Sequence, residues 1–195
     1  NAGHILGSAM SHLHIGNGLY NLVYSADMKF GKSVMLSPAA TKFPRCETLL
    51  LESTYGGRDN ILPTKKEIYD YLRDVINETI ERNGKCLIPV LGSGRAQDLM
   101  IMIEELIRTK EVKKVDVYID GLICDITAIH TAYPEFLNSA IRKQIFHKDN
   151  NPFLSDIFKR IGSGQERKQV IEDKGACIIL ATSGMLVGGP SVEYL

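Results

Sequence analysis

The chain has 195 residues, 44% of them hydrophobic, and its Lys+Arg 23 balance its Asp+Glu 23. That apolar content suffices for one good core or two small lobes, and the zero net charge excludes a globally basic nucleic-acid binder, leaving only local clusters to grip a phosphate backbone. No apolar stretch approaches the roughly 18 residues that a membrane span requires, so no membrane contact is expected. Cys46, Cys86, Cys124 and Cys177 are scattered with no C-x-x-C pair, and Cys86 and Cys177 stand in apolar runs. They read as small buried hydrophobes in a reducing cytoplasm. No signal peptide is visible, and since Asn1 is not a start methionine the true N-terminus is expected to be missing.

In Gly3-His4-Ile5-Leu6-Gly7-Ser8-Ala9-Met10 an imidazole is flanked by small residues. His12 and His14, two positions apart, project from one side of a strand and read as a structural pair. Gly16-Asn17-Gly18 reads as a hairpin turn into a strand from Leu19 to Ser25, which brings Asp27 to a strand end beside His4. Leu49, Leu50 and Leu51 then read as a buried strand. Glu52 at its C-terminal end falls where open α/β sheets hold their ligands, ahead of the hydroxyls and glycines of Ser53, Thr54, Gly56 and Gly57.

From Pro63 onward helices and strands alternate. Thr64 with Glu67 forms a capping box, and Ile68, Tyr71, Leu72, Val75, Ile76 and Ile80 keep helical spacing until Asn83-Gly84 ends it. A strand over Cys86 to Leu91 turns at Gly92-Ser93-Gly94 into a helix whose apolar face is Ala96, Leu99, Met100, Ile103, Leu106 and Ile107. Val115 to Ile119 is a strand ending at Asp120. Helices are predicted around Ile126 to Thr131 and from Pro134 to Phe146, with Asn150 to Gly164 irregular. A short helix before Gly175 and a strand from Cys177 to Ala181 complete an α/β fold with a mainly parallel sheet.

Several groups could carry chemistry. His4 and Asp27 offer an imidazole and a carboxylate suited to zinc, although by spacing alone such a pair more often has a structural role. Glu52 suits proton relay, or else caps the loop that follows it. Gly92-Ser93-Gly94-Arg95 offers backbone N–H groups at a helix start and a guanidinium for phosphate, with a plain strand-to-helix turn as the bland alternative. Gln97 stands where a dinucleotide fingerprint has its third glycine, and Asp120 could serve as the ribose-binding acid, so a Rossmann-type nicotinamide domain stays open. Ser183-Gly184-Met185 and Gly188-Gly189-Pro190-Ser191 repeat the small-residue pattern after the last strand, with Pro190 opening a helix. With Ser93, Gly94 and Arg95 they would line a shallow groove for successive phosphates of one strand. His130 reads as a core or lobe-interface imidazole.

The segments GHILGSAM, YSADMKF and LLLESTYGG resemble the third and fourth metal motifs and the first beta-CASP motif of the metallo-β-lactamase-fold nucleases of the beta-CASP family. Similarity continues at Gly94-Arg95-Ala96-Gln97, Asp120-Gly121, Ala128 to Glu135, Ala181 to Met185 and Gly188 to Ser191. It runs end to end and is greatest to the archaeal homologues of the cleavage and polyadenylation specificity factor nuclease. The resemblance implies the C-terminal part of a metallo-β-lactamase core over residues 1–57 and an incomplete beta-CASP α/β lobe over residues 58–195. It implies a zinc-dependent endoribonuclease, with 5′-to-3′ exonuclease action besides, that works in RNA 3′-end processing and transcription termination.

In that role His4 would ligate one of two zinc ions, Asp27 would bridge both, and Glu52 would orient a His from beyond this chain that protonates the leaving oxygen. Single-stranded RNA, a second copy in a homodimer and the transcription machinery are the implied partners, in the cytoplasm. The family's H-x-H-x-D-H signature is absent: Gly16 and Asn17 stand where its Asp and second His belong. Its later His motifs would fall beyond Leu195. Two ligands cannot hold two zinc ions, so the chain alone is expected to retain no zinc and to cleave nothing. A non-catalytic RNA-binding or assembly module is the alternative from a different class.

Overall fold

The computed structural model describes all 195 residues. A three-stranded sheet opens the chain: β1 (Ser11–Ile15) runs antiparallel to β2 (Tyr20–Tyr24), which lies parallel to β3 (Thr48–Leu50). The hairpin turns through Gly16, Asn17 and Gly18, all with positive φ, which two glycines and an Asn tolerate where other residues would be strained. His12 and His14 sit on one side of β1 with their rings 4.2 Å apart, held by the Arg45 carbonyl and the Asn21 side chain respectively.

The leucine run departs from its predicted burial. β3 is only three residues long, and Leu49, Leu50 and Leu51 are each about half exposed, as are Leu13 and Ile15 on β1. Val23 in the middle strand is fully buried, so the sheet has one covered face, and nothing in these 195 residues packs on the other.

The second sheet is parallel throughout, in the order β4-β7-β5-β6, from β4 (Lys85–Pro89), β5 (Asp116–Asp120), β6 (Phe158–Ile161) and β7 (Cys177–Ala181). All five residues of β7 are buried, as a central parallel strand covered on both faces demands. Its side chains alternate between two cores. Ile178 and Leu180 face the cluster built by α1 (Lys65–Glu81), α2 (Arg95–Arg108) and α3 (Ile123–Ala132), while Cys177, Ile179 and Ala181 meet Val170 of α5 (Gly164–Glu172). No helix is long and apolar enough to cross a membrane.

α1 begins at the predicted capping box: Thr64 Oγ1 accepts from the Glu67 amide and Glu67 Oε2 from the Thr64 amide. Its apolar stripe is used only in part, because Leu72 and Ile76 are buried while Ile68 and Tyr71 stay exposed. The single helix expected from Pro134 to Phe146 is two pieces, a 3-10 turn at Pro134–Phe136 and α4 (Ser139–Lys148). Asn138 makes the break. Its side chain accepts from the Ala140 and Ile141 amides and donates to the Val34 carbonyl, so it caps a new helix while binding the N-terminal segment. β6 lies inside the stretch read as irregular. It is a four-residue edge strand with Lys159 and Arg160 exposed, which protects the edge but erases the apolar signature of a strand.

The two sheets do not own separate hydrophobic cores. Met35 and Leu36, which precede β3, are buried in the same cluster as Met100, Ile103, Leu106 and Ile119. The division expected near Gly57 therefore separates sheets, not cores.

At the C-terminal end of β5, Asp120 is 2% exposed and doubly bound by Arg167, through Nε at 2.7 Å and Nη2 at 3.2 Å, with Tyr194 donating at 2.8 Å. Burial and this contact hold the Tyr194 phenol above its ordinary range. Arg167→Ala leaves a buried carboxylate without its counter-ion and should cost about 3–5 kcal/mol, measured as the loss in unfolding free energy in urea.

Candidate active-site cleft

The loops that carry His4, Asp27 and Glu52 are joined by hydrogen bonds to backbone. The Ser8 hydroxyl accepts from the amides of His4 and Ile5, closing the first loop on itself. The Lys29 amide donates to the Ala2 carbonyl and the Ala39 amide to the Lys29 carbonyl, both at 2.9 Å, so the Asp27 loop is laced to the His4 loop. Gly3 is obligatory at this crossing: a Cβ there would lie 2.6 Å from the Ala39 amide nitrogen.

Glu52 locks the arrangement from the other side. Its Oε1 accepts from the Met28 amide at 3.3 Å and its Oε2 from the Thr54 amide at 2.8 Å, while its own amide donates to the Ser25 hydroxyl. Both sequence readings of Glu52 thus meet in one side chain, which caps the loop after β3 and clamps the residue next to Asp27. The Thr54 amide, more than any other neighbour, lowers its pKa; the Met28 amide and the charge of nearby His4 act in the same direction. Each oxygen takes one backbone amide, and the half-exposed carboxylate keeps lone pairs for a further donor.

His4 and Asp27 point into solvent. No group of three His, Cys, Asp or Glu side chains converges anywhere in the chain in a way that could hold a metal ion. The residues present therefore do not by themselves make up a zinc site.

Gly92-Ser93-Gly94 does turn β4 into α2. Gly94 has φ +82°, and a Cβ on it would lie 2.9 Å from Ile5 Cγ2, so the His4 loop rests directly on the start of α2. Gln97 explains why this is not a dinucleotide loop. Fully buried, it accepts from the Gly94 amide at 2.8 Å and donates to the Gly92 carbonyl and Thr127 hydroxyl, filling the space a third glycine would leave open. With Asp120 buried and bound to Arg167 and Tyr194, the nicotinamide reading has neither its phosphate loop nor its ribose acid.

What remains is a cleft of about 70 Å³ lined by His4, Ile5, Lys29, Leu91, Ser93, Gly94, Arg95 and Asp98. Arg95 is exposed at its rim. Asp98 accepts from the Met35 amide at 3.1 Å; burial raises its pKa, against the opposing pull of Lys29. Lys29 is lowered, first by burial and then by Arg95, which places two cations on one small cavity. Lys29 went unnoticed in the sequence, where its only signal is a cation two positions after Asp27.

The second glycine-rich turn packs beside this cleft. A Cβ on Gly184 would lie 3.0 Å from the Leu91 amide nitrogen, and Leu91 lines the cavity. Met185 and Gly188 are exposed, Gly189 takes φ +74° against the Thr182 carbonyl, and the buried Ser183 hydroxyl has no partner. Ser191 departs from its expected role as a phosphate contact: it is fully buried, its hydroxyl donating to the Ser183 carbonyl and its amide to the Thr182 carbonyl. α6 (Pro190–Glu193) does start at Pro190, but it is four residues long and the Ser191 and Val192 amides bond within the turn, so it offers the crevice little. His130 is buried against Phe153, its Nδ1 on the Ile126 carbonyl, and burial lowers its pKa. A larger groove of about 410 Å³ between α3 and the Pro152–Leu154 turn is mostly apolar and contains none of the sequence candidates.

A Beta-Casp domain model matches residues 96–195, just over half of the chain. The chain belongs to the Beta-Casp family. Over all 195 residues it is 57% identical to the transcription termination factor FttA of Methanocaldococcus jannaschii and 55% identical to that of a Lokiarchaeum species. It is 52% identical to the FttA of Thermococcus kodakarensis over 194 residues. The chain spans 31%, 30% and 30% of the length of these three relatives. The Beta-Casp match begins at Ala96, one residue into α2, so it covers the second sheet from its second strand onward and leaves the His4, Asp27 and Glu52 loops outside it.

The sign of the Glu52 shift gives an acid dependence. Its folded pKa lies below the ordinary 4.5, so its stabilisation is complete at neutral pH and is lost as pH falls below that value. Thermal melts between pH 7 and pH 3 should show Glu52→Gln less stable than the parent at pH 7, with the difference shrinking toward pH 3.

Proposed function

We propose that these residues are part of a zinc-dependent ribonuclease of RNA 3′-end processing and transcription termination, an endonuclease with 5′-to-3′ exonuclease action besides. The observation that carries this reading is the lacing of the His4, Asp27 and Glu52 loops into one junction on the start of α2. The relatives are transcription termination factors, which supports the process. Single-stranded RNA is the substrate, and a second copy and the transcription machinery are the partners, in the cytoplasm.

In the longer protein His4 and Asp27 would contribute two ligands to a two-zinc centre completed by residues outside this span. Zinc so bound would supply a water activated for attack on a phosphodiester. The work of this chain's own residues is positional. Glu52 holds the Asp27 loop through the Met28 amide and keeps capacity to orient an imidazole that protonates the leaving oxygen. Arg95, with the exposed backbone of the turn at Met185 and Gly188, borders the path of the strand. Taken alone, the chain retains no zinc and cleaves nothing.

A second reading, a non-catalytic RNA-binding module, needs only the exposed Arg95 and the glycine-rich turn beside it. The two separate in the full-length protein. His4→Ala and Asp27→Ala should lower bound zinc and cleavage of single-stranded RNA together, while Glu52→Gln should keep zinc and lose about 10²-fold in rate. Unchanged zinc content and cleavage in the His4 and Asp27 variants would leave only the binding module.

A further inference from the structure

We propose that Lys29 and Arg95 together form a binding site for one backbone phosphate of a single-stranded RNA, built across the junction between the loops of the first sheet and the first turn of α2. The identity of the strand rests on the ribonuclease reading; the anion site rests on the cleft itself.

The two cations come from segments far apart in sequence and line one cavity of about 70 Å³ with His4, Ser93, Gly94 and Asp98. That is several times the roughly 10–15 Å³ needed by a single water, and it accommodates the oxygens of a phosphodiester. Neither Lys29 nor Arg95 lies within ion-pair distance of a carboxylate, and the two share this one cavity. Asp98, the one carboxylate lining the cavity, already accepts from the Met35 amide.

The cavity therefore holds two positive side chains against one engaged negative one, and a singly charged phosphodiester completes it. Position is built in as well. The Lys29 backbone is hydrogen-bonded on both sides, to Ala2 and Ala39, so its side chain leaves from a fixed point and is half-buried before any ligand arrives. The start of α2 adds little by itself, since the Gly94 amide is taken by Gln97. Side-chain charge supplies the attraction, and Arg95 supplies a fork suited to two phosphate oxygens. With His4 on the same wall, the gripped phosphate lies next to the metal-binding loop, which sets where along the strand the reacting position falls.

The test uses the full-length protein and a single-stranded RNA oligonucleotide in which one phosphate at a time is replaced by a neutral methylphosphonate. Lys29→Gln should weaken binding of the unmodified strand about fivefold at 0.1 M salt and flatten the slope of log K against log salt by about 0.7, the value for one single-strand phosphate contact. The parent protein should be penalised by methylphosphonate at one register, and Lys29→Gln should lose the penalty at that register alone. Lys29→Arg should keep it, and inorganic phosphate should compete with the parent but not with Lys29→Gln. Arg95→Gln, at an exposed position, repeats the measurement should Lys29→Gln fail to fold. An unchanged salt slope, or equal penalties at every register, overturns the site. Cleavage without Lys29 dependence would defeat this inference alone; Lys29-dependent binding without cleavage would defeat the ribonuclease reading alone.

Discussion

The first turn of α2 is where the two halves of the molecule are fastened, and the fastening is both apolar and polar. Gly94 has no side chain, which lets Ile5 sit against the helix start, and Asp98 one turn later binds the Met35 amide. Met35 and Leu36 are then buried with the α2 face, a gain of roughly 1.5–3 kcal/mol for each large side chain. That outweighs any exposed ion pair, which is commonly worth under about 1 kcal/mol. The hydrogen bond to Asp98 contributes less energy but more register, since a buried carboxylate left without donors would be costly. Because of this fastening, a loop that carries His4 and a loop that carries Lys29 share a cavity with Arg95.

The same architecture separates two kinds of carboxylate. Asp120 lies at the C-terminal end of a parallel strand, where ligands usually bind, yet it is buried and bound by Arg167 and Tyr194, which makes it part of the scaffold. Glu52, just past a short edge strand, is half-exposed and takes one backbone amide on each oxygen. Position at a strand end did not distinguish them. Burial and a buried counter-ion did.

The second sheet was legible because each of its signals is local: the capping box at Thr64, the helical spacing of α2, and the unbroken apolar run of β7. β6 was hidden because an edge strand that carries Lys159 and Arg160 looks like a polar loop. The break at Asn138 was hidden because it depends on Val34 and Met35, about a hundred positions away. The leucines of β3 read as buried because apolar runs normally are; here Leu50 lies on the uncovered face and Leu49, beside Val23 on the covered one, sits half-exposed on the edge strand, and exposed apolar sheet surface of this kind favours association. At the site, the motif resemblance supplied His4, Asp27 and Glu52. Lys29 needed the fold, since only packing brings it to Arg95, and so did the commitment of the Ser191 hydroxyl to a carbonyl eight residues back.

If the loops before β3 are one unit with α2, they must open together. Native-state hydrogen exchange on the full-length protein measures this directly through the Met35, Lys29 and Asn138 amides, which bond to Asp98, Ala2 and Met35. The predicted result is that these three amides exchange with the same opening free energy as the Ile103 amide in the middle of α2. Exchange at Lys29 and Met35 that is orders of magnitude faster than at Ile103 would mean the first loops move independently, and the shared cleft would have no fixed geometry.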